Sequence, residues 1–176
     1  MSTIMKYLTF VVCALLTAGS YAQSPAKEAA ATHSASSENL TSPIFGVAIP
    51  KGYRQWELVA VSYETAFDEF RGILGNTLAI KTYADGTLPF PDGTMFAKLA
   101  WKRVPSTEFN GAFVPGATTT VQFMVKDSKK YAATGGWGFG RFIDGKPVDE
   151  AQHKTCFACH QANVKNHDLV FTRFAP

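Results

Sequence analysis

The run KTCFACHQ, Lys154 to Gln161, constrains this chain more than any other stretch of it. Two cysteines stand three apart and a histidine directly follows the second. On a helix this spacing turns both thiols to one side and sets the imidazole next to them. Thiols so placed can add to the two vinyl groups of a single haem, with the imidazole beneath the iron. Two rivals use the same residue types. A structural zinc site takes four Cys or His ligands, with a second pair elsewhere; only His153 and His167 lie nearby, and there is no second Cys-x-x-Cys. A dithiol redox pair belongs to a βαβ context near the N-terminal side of its domain, whereas this motif is C-terminal. The spacing therefore favours one covalent haem c, attached through Cys156 and Cys159, with His160 as the iron ligand. His153 and His167 are expected on the helix surface or at its end.

The N-terminus says where such chemistry would take place. MSTIMKYLTFVVCALLTAGSYAQS holds one positive charge, Lys6, then an apolar run from Tyr7 to Ala18, then Ser20-Tyr21-Ala22. That is the pattern of a secretory signal peptide, residues 1–22. The apolar run is short for a bilayer, which takes about 20 apolar residues to cross; a retained anchor is the lesser alternative. A lipoprotein reading would need Cys13, which sits inside the run after two valines. Of the three cysteines in the chain, Cys13 would leave with the signal. The motif pair would then remain alone, which excludes a disulfide framework. The expected location is periplasmic or secreted, and c-type haem attachment also occurs outside the cytoplasm.

Residues 23–42, QSPAKEAAATHSASSENLTS, are rich in Ala, Ser and Thr without apolar periodicity. They read as a flexible leader, with His33 a solvated side chain. Residues 43–176 are of a length for one domain. A formal charge of +3 with no basic run gives no reason to expect nucleic acid or a membrane surface as partner.

Within the domain, YRQWELVAVSYE alternates Trp56, Leu58 and Ala60 against Gln55, Glu57 and Val59, as a half-buried strand does. Phe70 to Gly75, Thr94 to Val104, Thr118 to Val125 and Gly136 to Ile143 also read as strands. Asn76 to Gly86 reads as a helix opened by Asn and stopped by Gly. Lys126 to Gly136 reads as a second short helix. Glu150 to Val164 is the helix of the motif, and DLVFTRF is expected to add a last strand. PFPDGT is a turn built on Pro91-Asp92-Gly93. Strands in series with a few short helices give an α+β class, mainly antiparallel β-sheet, in a single haem c domain.

Three further features bear on the iron. Apart from the signal region, the methionines are Met95 and Met124, each inside a strand pattern where core packing is the simpler role. A sixth side-chain ligand is therefore not evident, and an open iron binds or transforms small molecules where a closed one passes electrons. In GTMFAKLAWKR, alternation puts Thr94, Phe96, Lys98 and Ala100 on one face. From spacing alone Lys98 is an edge lysine whose stem covers apolar surface. In GWGFGRF, Gly136, Gly138 and Gly140 share a face, which admits either a flat group such as haem or a tightly packed strand.

The runs FPDGTMFAK, VKDSKKYA and GGWGFGRF, and CFACH followed by VFTRFAP, resemble the cytochrome P-460 family, which includes cytochrome c′-beta. The resemblance runs in order from about Tyr53 to Pro176, and CxxCH followed by VFTR is its most specific part. It implies a mainly antiparallel sheet, usually a homodimer, holding one five-coordinate haem c. In cytochromes P-460 a lysine shortly after a D-G-T turn also bonds to the porphyrin; the matching residue is Lys98. A distal arginine of the family resembles Arg71. A pocket carboxylate lies shortly before the V-K-D-S run in members that oxidise hydroxylamine, and Gln122 stands at that position. Glutamine hydrogen-bonds but takes no proton at neutral pH. The c′-beta members lack the cross-link, have an apolar aromatic cap to which Phe96 would correspond, and bind nitric oxide. The resemblance thus implies a small nitrogen-containing ligand or substrate, hydroxylamine or nitric oxide, and a periplasmic redox partner; a simple electron-transfer cytochrome is the other alternative.

Overall fold

Asn76 shows how the sequence punctuates the fold. Its side-chain oxygen accepts from the backbone of Ala79 at 3.0 Å and so caps helix α1, Thr77–Ala84. The same oxygen accepts from Met95 N at 3.1 Å, and its amide donates to Gly93 O at 2.8 Å. One residue therefore starts the helix and ties it to the strand that follows the DGT turn. Gly86, at φ 63°, ends the excursion. In the computed structural model, which describes residues 40–175, this helix is inserted between two strands of a single sheet. The expected signal peptide and the leader up to residue 39 lie outside the described residues.

The sheet has six strands: β1 Glu57–Glu64, β2 Glu69–Gly75, β3 Met95–Pro105, β4 Phe113–Lys126, β5 Trp137–Ile143 and β6 Lys146–Pro147. They lie side by side in chain order, each antiparallel to the next. The fold is thus the mainly antiparallel α+β class the sequence predicts. A second helix, α2, spans Glu150–Val164, with Asp149 accepting from Gln152 N at 2.8 Å as its cap. No helix among the described residues is long and apolar enough to cross a membrane.

Several local expectations are corrected. In β1 the buried residue is Val59, 1 % exposed, while Leu58 is 56 % exposed. A register shift between Leu58 and Ala60 breaks the alternation read from the sequence. Lys126 to Gly136 is not an α-helix. Lys126 is held in β4 by pairing with Trp137, and Asp127 folds the next residues into a turn by accepting from Lys129 N and Lys130 N. A 3-10 turn at Ala132–Thr134 follows, and Gly135 and Gly136 at φ 65° and 85° lead into β5. DLVFTRF adds no strand: Asp168 and Leu169 take φ 47° and 64°, which breaks any ladder.

The glycines of β5 resolve in favour of tight strand packing. A Cβ on Gly138 would lie 2.3 Å from the Tyr131 ring, and one on Gly140 would lie 2.8 Å from Phe142 and 3.0 Å from Val47. What approaches these glycines is the chain's own core. The outer side of β5 is covered by the segment around Ser42, whose hydroxyl donates to Phe139 O at 2.8 Å, while Tyr131 OH donates to Phe45 O at 3.1 Å. Ser42, the end of the segment read as a leader, is buried. The Lys98 face of the sheet carries an aromatic cluster, in which Phe96 meets Phe90 edge-on at 5.2 Å and Trp137 at 6.0 Å.

Candidate functional site

The sheet register assembles the site. Lys98 of β3 pairs with Gln122 of β4, which pairs with Arg141 of β5; on the other side Lys98 pairs with Ile73 of β2. Arg71 lies two residues along β2 from Ile73. Alternate residues share a face, so Arg71, Lys98, Gln122 and Arg141 project from the same side. The structure brings the three residues singled out in sequence together and adds a fourth, Arg141.

Helix α2 is fixed to β5 by a histidine. His153 is 0 % exposed. One ring nitrogen, Nδ1, lies 2.9 Å from Asp149 O, and the other, Nε2, accepts from Arg141 N at 3.1 Å. Both nitrogens are used, so His153 is a neutral pin between helix and strand and not the surface residue expected. His167 is half-buried at the helix end, with Nδ1 2.8 Å from Val170 O and 2.6 Å from Arg173 Nη1.

The motif residues lie beside the charged row. Cys156 and Cys159 are free thiols, the first half-buried and the second exposed. Burial pushes the Cys156 thiol up, and the nearby charges of Arg141 and Lys98 act against that. The His160 ring lies between Phe139 and Phe171, at centroid distances of 5.0 and 4.9 Å. Its Nδ1 is 2.7 Å from Leu169 O. A proton on Nδ1 donated to that carbonyl leaves the lone pair of Nε2 for a metal. Burial lowers the pKa of His160, with the carbonyl bond opposing and the Lys98 charge assisting. The neutral, ligating form is favoured.

Lys98 is the most perturbed basic group of the row. Burial is the largest cause, the guanidiniums of Arg71 and Arg141 add to it, and together they bring its ammonium down to about 8 from 10.5, with Glu69 acting weakly in the other direction. Arg71 is engaged at its far end, by Glu64 at 3.1 Å and Glu69 at 3.4 Å. Gln122 donates to Thr120 Oγ1 at 3.2 Å. Met124 and Met95 are half-buried, and Met124 packs against the core, as expected of a strand methionine.

A haem needs two thiols on one helix, an imidazole with one free nitrogen, apolar walls and donors for its carboxylates. Cys156, Cys159 and His160 supply the first two, and Phe139 and Phe171 line the imidazole. The buried Nε atoms of Arg71 and Arg141 have no hydrogen-bond partner in the protein, which suits a carboxylate-bearing ligand. Among the described residues no group of three or more His, Cys, Asp or Glu converges as a bare metal site would require. The residues present fit a haem.

Sequence reasoning missed Arg141 and Glu69. Both share their face with Lys98 only through pairing across strands, and no spacing within one strand reveals that. A family model, Cytochrome P460, matches residues 50–172. No curated protein matches the sequence.

Proposed function

The chain belongs to the cytochrome P460 family, of c-type haem proteins, and from that premise we propose that it is an exported, periplasmic protein whose haem iron keeps an open face for small nitrogen species, hydroxylamine or nitric oxide. In this reading Cys156 and Cys159 hold one haem by thioether bonds and His160 Nε2 ligates its iron. The bound group supplies a one-electron redox centre. The chain's own residues then act around it. His160 keeps its ring orientation through the Leu169 carbonyl. Arg71 and Arg141 offer guanidinium donors to an anionic or polar ligand, and Gln122 offers an amide.

The observation that carries this reading is the row Lys98–Gln122–Arg141. It sets cationic and amide donors beside Cys156 and offers no imidazole or thioether to close the iron. Lys98 has a second role in the proposal, as the residue that bonds to the porphyrin. With its ammonium at about 8, roughly a tenth of it is free amine at pH 7, the form whose nitrogen could bond to a porphyrin carbon; an N–H and a porphyrin C–H would be lost, and an external two-electron oxidant such as a peroxide would take the electrons. Mass spectrometry of the haem peptide reads whether lysine and porphyrin are joined.

Gln122 favours a second reading, a nitric oxide binding protein without turnover, because hydroxylamine oxidation releases protons that an amide cannot accept. Purified haem protein mixed with hydroxylamine and an electron acceptor separates the two. Acceptor reduction above that of free haem supports oxidation; its absence, with a five-coordinate nitrosyl spectrum, supports binding alone. A low-spin, six-coordinate ferric spectrum would overturn both in favour of electron transfer.

The partners proposed are a periplasmic redox protein and a second copy of the chain. For the copy, the sheet face away from Lys98 carries an apolar groove that includes Leu74, Leu99 and Trp101. Its rim holds Val61 at 72 % and Phe113 at 50 % exposure, more apolar surface than a solvated strand needs. Sedimentation of Val61→Glu is expected to give a monomer where the wild type gives a dimer.

A further inference from the structure

The segment that carries the Leu169 carbonyl is held in an unusual backbone. Asp168 and Leu169 both take positive φ, 47° and 64°, a conformation that non-glycine residues adopt in succession only when their surroundings dictate it. An ion pair stands at this turn. Lys126 Nζ lies 2.8 and 2.9 Å from the two carboxylate oxygens of Asp168, and also donates to Gly135 O at 3.1 Å. The pair is buried, with side-chain exposures of 7 % and 12 %. Phe90 N donates to the same carboxylate at 2.9 Å, and the Trp137 ring lies 4.9 Å from the ammonium. Two groups thus meet the carboxylate, Lys126 Nζ and Phe90 N, two more meet the ammonium, Gly135 O and the Trp137 ring, and the carbonyl of the residue after Asp168 is the one 2.7 Å from His160 Nδ1.

We infer that Lys126 and Asp168 form a positioning clamp for the iron ligand. The pair fixes the backbone turn at 168–169, the turn aims the Leu169 carbonyl at His160, and the carbonyl sets how strongly the imidazole donates to iron. Neither residue touches the imidazole. The two runs concerned, V-K-D-S and D-L-V-F-T-R, stand 42 residues apart in sequence and are joined by this pair. Leu169 is 6 % exposed, and its side chain lies over Gly135, where a Cβ would stand 2.9 Å away. The turn is therefore packed as well as paired, and the ion pair is its polar half.

The inference rests on the haem reading, and the test separates the two. Resonance Raman spectra of the ferrous haem protein report the iron–histidine stretch, and a redox titration reports the potential. In Asp168→Asn, which tolerates positive φ but loses the charge pair, the stretch is expected to move to lower frequency and the potential to rise, as the imidazole loses its carbonyl partner and donates less. Lys126→Gln is expected to do the same, and Lys126→Arg to restore both towards wild type. Variants that fold, keep haem and show the wild-type stretch and potential overturn the clamp. Lower melting temperatures with both signals unmoved also overturn it, since they reduce the pair to a stability element. A wild-type protein with haem but no iron–histidine stretch overturns the haem reading and this inference together.

Discussion

Two lysines project from one face of the same sheet, and their surroundings are opposite. At one end Lys126 meets a buried carboxylate, a carbonyl and a tryptophan ring. At the other end Lys98 meets two guanidiniums and an amide, with its nearest carboxylate contributing little. Lys126 is buried and Lys98 half-buried, settings in which lysine is uncommon. A buried cation with a counter-ion is part of the framework, because each charge would be costly without the other. A buried cation among cations is held partly as free amine, which is a reactive state and a destabilising one. The same residue type is an anchor at Lys126 and a candidate reagent at Lys98, whose partner Gln122 stands four residues, about 13 Å, along β4 from the anchor.

The contrast can be broken most sharply at the anchor. Lys126→Met strands the Asp168 carboxylate in the interior and is expected to cost about 3–5 kcal/mol in denaturant unfolding. Replacing both partners, Lys126→Met with Asp168→Leu, is expected to recover most of that loss. Lys98→Met should act with the opposite sign. Its folded-state pKa of about 8 lies below the open-chain value of 10.5, so the protonated side chain favours the unfolded state. That penalty is full below pH 8 and fades as pH rises to 10.5. In protein without the porphyrin bond, Lys98→Met is therefore expected to gain roughly 3 kcal/mol at pH 7 and almost nothing near pH 10.5. A loss of stability at pH 7 would contradict the assignment.

A smaller change sharpens the chemistry. Gln122→Glu places a carboxylate directly across from Lys98 and is expected to raise the amine's pKa by about one unit. The pH dependence of amine labelling, read by mass spectrometry, measures that shift. The same variant supplies a proton acceptor, so hydroxylamine-dependent acceptor reduction should increase. The smallest effect belongs to an exposed lysine. Lys81 pairs with Asp85 one turn on at 2.6 Å, but its side chain is 68 % exposed. Lys81→Ala is expected to change stability by less than about 0.5 kcal/mol in the same unfolding assay.

What could be read in the sequence was whatever is written within a few residues. Helix α2 is marked by the motif, with the Asp149 cap added by the structure, and α1 by Asn76 and Gly86. The strands are visible as β-branched and aromatic runs. The failures are non-local or depend on a competing short-range bond. Lys126 to Gly136 looks helical until Lys126 pairs with Trp137 and Asp127 captures the next amides. The alternation of β1 is broken by one irregularity at Leu58–Ala60, which no period reveals. Phe96, Lys98, Gln122 and Arg71 do share a face, yet nothing in the chain alone places Arg141 beside them, because that requires the register of three strands. The clamp was invisible for the same reason: VKDS and DLVFTR are recognisable separately, and their meaning lies in the contact between them.

Helix α2 buries one side chain, His153. Its hold on β5 joins the two hydrogen bonds of that histidine to contacts that are only partly buried, Cys156 and Phe157 against the core and the His160 ring against Phe139. Such an element has a low opening free energy compared with the strands beneath it. Both sulfurs can then be reached while the sheet stays intact, Cys159 directly and Cys156 after a short swing of the helix. If these thiols take a haem as proposed, its attachment need not wait for, or undo, the folding of the framework.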